Sequence, residues 1–162
     1  MDILHSYWRM EYVTSPSDGE RGHKNPFAEL PKQGDDRAAL IVYRGETGYL
    51  VLNRYPYNPG HLLAIPYREV PRLQDLHAAE RSELMELIIR AQDMLEAAMR
   101  PDGFNIGFNI GRTGGAGIPT HLHAHIVPRW NGDNNFLPVI GKTRSLPQAL
   151  DATWEALRST QS

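Results

Sequence analysis

The stretch that decides the fold is THLHAHIVPRW, residues 120–130, which carries three of the seven histidines of the chain. Single apolar or small residues separate His121, His123 and His125 from one another. Side chains alternate between the two faces of a strand, so the three imidazoles should share one face, at spacings of about 6.8 Å. Leu122 and Ala124 would then face the other side and pack under a helix. The alternation therefore predicts a strand whose imidazole face looks into a cleft.

Three interpretations of this imidazole face are open from the residues alone. The first is a solvated or hydrogen-bonded strand face. The second is a zinc site, since histidines at i and i+2 can share one ion, but the chain has no cysteine to complete the ligand set. The third is nucleophilic attack on phosphorus, with neighbouring imidazoles donating hydrogen bonds to phosphate oxygens. The glycine-rich segment 111–117 favours the third, because glycine lets backbone N–H groups approach an anion.

Working outward from this stretch, the chain alternates short apolar runs with turn residues. Apolar positions at helical spacing predict one long helix over residues 78–99, and Leu146, Leu150, Trp154 and Leu157 predict an amphipathic C-terminal helix. The predicted strands cover residues 39–44, 49–53, 61–66, 104–110 and 121–128. The expected fold class is α+β, with a mainly antiparallel five-stranded sheet. We expect a single domain over residues 1–162, with 1–25 as an N-terminal extension and loop and 26–162 as the core.

Charge and composition narrow the range of partners. A net charge of -2 over 162 residues provides no broad basic field, so we expect no binding to nucleic acid. No run of about 18 apolar residues is present, and the start lacks a basic segment followed by an apolar one, so we expect neither a membrane span nor a signal peptide. The simplest interpretation is a cytoplasmic protein that binds a small molecule.

The segment HLHAHIV resembles the signature of the histidine-triad (HIT) family of nucleotide hydrolases and transferases. Two upstream segments and one downstream segment extend the resemblance to about residues 26–157: LNRYPYNPGHLLAIPYREVPRLQDL, FNIGFNIGRTGGAG and HIVPRWNGDNNFLPV. The last of these is similar to bacterial and archaeal members of the fragile-histidine-triad-like branch, which phosphorolyse or hydrolyse diadenosine tetraphosphate. The resemblance implies the HIT-like fold and nucleotidyl transfer from dinucleoside polyphosphates through a covalent nucleotidyl-histidine. Inorganic phosphate is the expected acceptor, which makes the protein a phosphorylase.

Two alternatives to a phosphorylase stay open. With water as the acceptor, the protein would be a hydrolase that releases AMP from dinucleoside polyphosphates or from other nucleotidyl compounds. A protein that holds the nucleotide without turnover would instead be a sensor.

The resemblance also implies catalytic roles for four residues. His123 matches the nucleophile, and His125 matches the histidine that hydrogen-bonds the α-phosphate. His121 matches the histidine that orients the site, and Asn109 matches the amide beside the bridging and leaving oxygens.

Five further residues are expected to bind substrate. His61 matches a fourth histidine of the pocket, and Asn53 stands where the family binds ribose hydroxyls. Gly117 belongs to the loop whose amides would approach phosphate. Phe27 and Leu30 are candidates for a wall of the base pocket, with a plain core role equally expected.

One departure from the family bears on cofactors. Many relatives have a Cys-x-x-Cys near the N-terminus that binds structural zinc, and here the matching residues 25–28 read NPFA. We therefore predict no structural metal, with magnesium only accompanying the substrate. The resemblance further implies a homodimer or higher homo-oligomer. Arg129, directly after the triad, is expected either to reach a distal phosphate or to form a surface ion pair.

Overall fold

The computed structural model describes residues 25–133 and 150–160. The predicted extension up to residue 24, and Leu146 of the predicted C-terminal helix, lie outside these ranges. The fold is built on one five-stranded sheet in the order β1-β2-β3-β5-β4, and every neighbouring pair is antiparallel. The strands are β1 (Ile41–Arg44), β2 (Gly48–Leu52), β3 (Leu62–Pro66), β4 (Gly103–Phe108) and β5 (Ala124–Arg129). The α+β class and the antiparallel sheet are thus confirmed.

Four α-helices accompany the sheet in the described ranges: α1 (Pro26–Glu29), α2 (Asp36–Ala39), α3 (Ala78–Met99) and α4 (Leu150–Ser159). Short 3-10 turns cover Leu30–Lys32 and Leu73–Asp75. Helix α3 has the predicted bounds. It begins where the carboxylate of Glu80 accepts a hydrogen bond of 2.6 Å from the backbone N–H of His77. It ends where Arg100 takes the left-handed conformation with φ 50°, just before Pro101.

The core lies between the sheet and α3, which packs on β2, β3 and β5. The buried stripe of the helix includes Leu84, Leu87, Ile88, Ala91, Met94 and Leu95. Helix α4 covers β1, where the indole N–H of Trp154 donates to the carbonyl of Ile41 at 2.9 Å. Helix α1 is tied to the sheet because the buried Tyr49 donates its hydroxyl proton to the carbonyl of Phe27 at 2.7 Å.

The strand that carries the triad starts later than predicted. Strand β5 begins at Ala124, so His121 and His123 precede it and only His125 lies on it. The backbone N–H of Leu122 donates to the carbonyl of Val70 at 2.7 Å, so the loop after β3, and not the sheet, holds this segment. The prediction of one continuous strand over residues 121–128 is therefore wrong at its beginning.

Other strand ends also differ from the predictions, in ways that place site residues in loops. Strand β1 starts at Ile41 because residues 36–39 form α2, and Leu40 ends that helix in the left-handed conformation with φ 61°. Asn53 follows the end of β2, His61 precedes the start of β3, and Asn109 follows the end of β4. These three residues are thus at strand termini, where loops bring them together.

Candidate active site

Four histidines meet where β3 begins and β5 begins. Strands β3 and β5 pair antiparallel with Leu63 opposite His125, which places His61 beside that residue. The ring centroids of His61 and His125 are 5.2 Å apart, and those of His123 and His125 are 5.0 Å apart. The structure therefore brings the predicted histidines into one cluster.

The cluster is more enclosed than a strand face open to a cleft. His61 and His121 are fully buried and His123 is 5% exposed, while His125 is half-buried. The expected open imidazole face is thus wrong for His121 and His123. Burial of these rings is tolerated because each has hydrogen-bond partners.

The tautomer of His121 follows from its two partners. Its Nε2–H donates to the carbonyl of Pro66 at 2.8 Å, since a carbonyl can only accept. Its Nδ1 is then the acceptor of a 2.8 Å hydrogen bond from the side-chain amide of Asn25. Burial is the main cause that lowers the pKa of His121 below its usual 6.5. His121 is accordingly a neutral ring held between Asn25 and the end of β3.

His123 presents the tautomer that a nucleophile needs. Its Nδ1–H donates to the backbone carbonyl of His121 at 2.8 Å, which leaves the lone pair on Nε2. Burial, the largest cause, lowers the pKa of His123 below 6.5, although the hydrogen bond to that carbonyl opposes the shift. The Phe27 ring lies against His123 with its centroid 4.9 Å away, edge to face. At neutral pH the ring is uncharged, with one nitrogen available for attack.

His61 and His125 form a second ordered pair. The backbone N–H of Tyr57 donates to Nδ1 of His61 at 3.1 Å, so the other ring nitrogen of His61 carries the proton. That Nε2–H donates to Nδ1 of His125 at 3.0 Å, which leaves an N–H on Nε2 of His125 when its ring is neutral. The Tyr57 ring stacks on His61 at a centroid distance of 4.9 Å and an interplanar angle of 19°. His125 thereby offers a donor to whatever lies in front of it.

Asn109 faces the same donor from the end of β4. Its amide nitrogen lies 3.5 Å from both Nε2 of His125 and the carbonyl of Gly115. The contact with His125 joins two N–H donors and is no hydrogen bond in this tautomer, and the contact with Gly115 is at the long limit of one, so neither competes strongly with a phosphate oxygen. Gly115 has φ 86°, a conformation that favours glycine. The predicted loop residue Gly117 lies exposed in the same loop.

The remaining predicted residues lie on two sides of the cluster. Asn53 reaches it, with its amide nitrogen 3.4 Å from Nδ1 of His61 and its amide oxygen accepting from the backbone N–H of Tyr55 at 2.9 Å. Phe27 lies against His123, as described above. Leu30 is partly buried and packs against the hydrophobic core.

Two residues of the cluster were not predicted from the sequence. Asn25 stands in the sequence where many relatives have a metal-binding cysteine, and in the structure its side-chain amide holds His121. Tyr57 contributes a ring that stacks on His61 and a backbone N–H, and the N–H leaves no mark in the sequence. The aromatic run RYPYNPG before His61 was the only available signal.

An open groove of about 490 Å³ runs from His125 along β4 and β5. We call it the β4–β5 groove. Its lining residues are Tyr57, Asn58, Asn105, Ile106, Gly107, Phe108, Asn109, His125, Val127 and Arg129. The groove gives a ligand bound at His125 a path toward Arg129.

The described residues show neither a metal-binding cluster nor a membrane-spanning helix. Within 25–133 and 150–160, no group of three or more metal-ligating side chains is placed to hold an ion. In the same ranges, no helix is both long and apolar enough to cross a bilayer.

Comparison with known proteins gives the family. The model of the HIT domain matches residues 36–132. The chain belongs to the HIT family. The family that HLHAHIV predicts for this HIT protein is therefore confirmed.

Curated relatives of this HIT protein include nucleotide enzymes. It is 47% identical over 160 residues to the AP-4-A phosphorylase of Mycobacterium tuberculosis, covering 94% of this chain and 82% of that protein. It is 37% identical over 93 residues to the asymmetrical bis(5'-nucleosyl)-tetraphosphatase of Schizosaccharomyces pombe, covering 57% of this chain and 50% of that one. Among solved structures, a hypothetical histidine triad nucleotide-binding protein from Sulfolobus tokodaii shares the fold, with a TM-score of 0.68 and 23% identity over 84% of this chain and 91% of that one.

Proposed function

We propose that this HIT protein transfers an adenylyl group from a dinucleoside polyphosphate to inorganic phosphate. The observation that carries the proposal is the hydrogen bond from Nδ1–H of His123 to the carbonyl of His121, which leaves Nε2 as a neutral nucleophile. The similarity to a mycobacterial phosphorylase over most of both chains supports the choice of substrate and acceptor.

In the first step, Nε2 of His123 attacks the α-phosphorus. The P–N bond forms while the bond to the bridging oxygen breaks, and its electron pair leaves with the polyphosphate. From diadenosine tetraphosphate the leaving group is ATP. The Nδ1 proton stays on the His123 ring, and the carbonyl of His121 stabilises the positive charge that the ring acquires. Charge on the α-phosphate oxygens is met by the Nε2–H of His125 and the amide of Asn109.

In the second step, an oxygen of inorganic phosphate attacks the same phosphorus. The P–N bond breaks, its electrons return to Nε2, and ADP is released. The sum is diadenosine tetraphosphate plus phosphate giving ATP plus ADP. His61 acts by holding His125 in the tautomer that donates, and Asn53 is the expected partner of the ribose hydroxyls. Magnesium is expected only on the phosphates of the substrate.

Hydrolysis is the second candidate, because the fission-yeast relative is an asymmetrical tetraphosphatase. Water would then attack the nucleotidyl-histidine and release AMP. Chromatography of nucleotides after mixing the protein with diadenosine tetraphosphate and magnesium, with and without phosphate, separates the two. ATP and ADP formed only with phosphate, and lost in His123→Ala, are the expected result. ATP and AMP regardless of phosphate would establish the hydrolase, and no turnover would favour a binding protein.

The proposal includes a cytoplasmic homodimer or higher homo-oligomer. Large apolar side chains stand exposed on α3 and on the edge strand β4, and they include Met85, Ile89 and Ile106. Such side chains favour self-association when they lie on a long helix and on a strand edge that pairs with no further strand among the described residues. Light scattering coupled to size-exclusion chromatography tests this, since a mass of one chain would contradict it.

A further inference from the structure

Arg129 stands at the far end of the β4–β5 groove, and the mechanism above gives it no part. It lies on the same face of β5 as His125, four residues along the strand. Its Nε–H and Nη2–H groups donate to the two carboxylate oxygens of Asp133, at 2.6 and 2.8 Å, and Nη1–H donates to the side-chain oxygen of Asn105. Asp133 is itself held by the amide of Asn58 at 2.9 Å. The guanidinium is thus fixed in place beside the groove.

The fixed guanidinium keeps donors for a further acceptor. A guanidinium has five N–H donors, and the contacts to Asp133 and Asn105 use three of them. The Arg129 side chain is 32% exposed, so solvent and ligands can reach it. Arg129 is also the main cause that lowers the pKa of Asp133 to about 2, so the pair stays ionised at neutral pH. A rigid, partly exposed guanidinium of this kind matches the geometry of a phosphate oxygen pair.

The position of the guanidinium decides which phosphate it would meet. Asn105, its partner, lies opposite Val127 on the neighbouring strand, two residues from His125. Two residues of strand span about 6.8 Å, which is more than a single phosphate group bridges. The donors of Arg129 therefore lie beyond the phosphate that His125 contacts, farther along the β4–β5 groove. A leaving polyphosphate that follows the groove would meet them there.

We propose that Arg129 binds the distal phosphates of the leaving nucleotide, with Asn105 and Asp133 as its positioning residues. The site would favour a bridge of four phosphates over a bridge of three, because only the longer bridge extends fully to the guanidinium. This inference rests on the proposed function, since it assumes that the α-phosphate sits at His123 and His125. It assigns to the chain a determinant of polyphosphate length.

The competing explanation is that Arg129 and Asp133 only close the turn after β5. Two variants separate the explanations, because Arg129→Gln and Asp133→Asn break the same ion pair but only the first removes the positive charge. A structural role predicts equal effects of the two variants on any pair of substrates. Arg68→Gln is the matched control, since Arg68 forms an exposed ion pair with Glu80 outside the groove.

The experiment measures kcat/KM with saturating phosphate for diadenosine tetraphosphate and diadenosine triphosphate. Arg129→Gln is expected to lower the tetraphosphate value about 10- to 100-fold, the loss for one hydrogen bond to a charged group, and the triphosphate value much less. Asp133→Asn should change the ratio of the two values less than Arg129→Gln does, and Arg68→Gln should leave it unchanged.

The subsite would be contradicted, with the phosphorylase left intact, if Arg129→Gln kept the wild-type ratio of the tetraphosphate to the triphosphate kcat/KM. It would also be contradicted if Arg129→Gln and Asp133→Asn lowered this ratio equally. A wild-type protein that turns over neither substrate would instead overturn the proposed function and the subsite with it. If Arg129→Gln melts below the assay temperature, Arg129→Lys replaces it, because lysine keeps the positive charge but lacks the paired N–H donors of the guanidinium. The lysine variant should then lose part of the preference for diadenosine tetraphosphate over diadenosine triphosphate. A preference equal to that of the wild type would contradict the proposal.

Discussion

Replacing Asn25 by alanine should uncouple α1 from the active site. The side chain of Asn25 makes two hydrogen bonds: its amide nitrogen donates to Nδ1 of His121 at 2.8 Å, and its oxygen caps α1 by accepting from the backbone N–H of Phe27 at 3.0 Å. Loss of a helix cap costs about 1 kcal/mol. An unsatisfied buried acceptor on His121 costs about 1–3 kcal/mol more. The free energy of unfolding should therefore fall by about 2–4 kcal/mol.

Thermal unfolding is the assay for Asn25→Ala. For a chain of this size, each kcal/mol lowers Tm by about 2–4 °C, so the expected fall is about 4–16 °C. Asp35→Ala is the control, because Asp35 caps α2 through a 3.0 Å bond from the N–H of Ala38 but has no role in the cluster. It should lose only the cap, about 1 kcal/mol. If Asn25→Ala lost no more stability than Asp35→Ala, the argument that Asn25 satisfies a buried His121 would be refuted.

Two further predictions concern pH and backbone conformation. Burial lowers the pKa of His123 below 6.5 in the folded protein. As the pH falls below 6.5, His123 therefore takes up a proton in the unfolded chain before it does so in the folded one. The free energy of unfolding should decline accordingly. Urea unfolding between pH 8 and pH 5 should show this decline, and His123→Asn should make it shallower; identical slopes would contradict the assignment. Gly60 has φ 77°, and an added Cβ would lie 2.7 Å from the sulfur of Met99. Gly60→Ala should therefore lower the free energy of unfolding by roughly 1–2 kcal/mol for the left-handed backbone, plus the cost of the clash. Gly111→Ala has the same backbone problem with φ 73° and no atom within 4 Å, so melting temperatures that fall equally in both variants would show that the clash is relieved.

Helix α3 was predictable because local signals agree along its length. Its apolar residues recur at helical spacing, and Pro101 follows closely after its last turn. These signals depend only on neighbours in the sequence, so they survive whatever the rest of the chain does.

The start of β5 was not predictable from the same kind of signal. Leu122 alternates with the histidines as a strand residue should, yet its N–H bonds to Val70, more than fifty residues earlier in the chain. A tertiary hydrogen bond of this kind overrides the local pattern. His121 and His123 are consequently buried and hydrogen-bonded, and only His125 remains on a strand that faces the groove.

The sequence predicts the histidines of the candidate site better than the hydrogen bonds among them. His61, His121, His123 and His125 were all expected, from the triad and its resemblance to the HIT family. The contacts that fix their tautomers come from Asn25, from a backbone carbonyl and from the N–H of Tyr57. Backbone donors and long-range partners have no sequence signature, so the order of protons on the rings required the structure.

In the proposed mechanism Nε2 of His123 accepts the adenylyl group, and intact-mass spectrometry tests this step directly. Intact-mass spectrometry would be recorded after the protein is mixed with diadenosine tetraphosphate and magnesium without phosphate and then quenched in base, where a phosphoramidate survives. One adenylyl group per chain is expected, located on His123 by peptide mapping, absent in His123→Asn and discharged as ADP when phosphate is added before the quench. Turnover of diadenosine tetraphosphate by His123→Asn, or an adenylyl group located on another residue, would contradict the account.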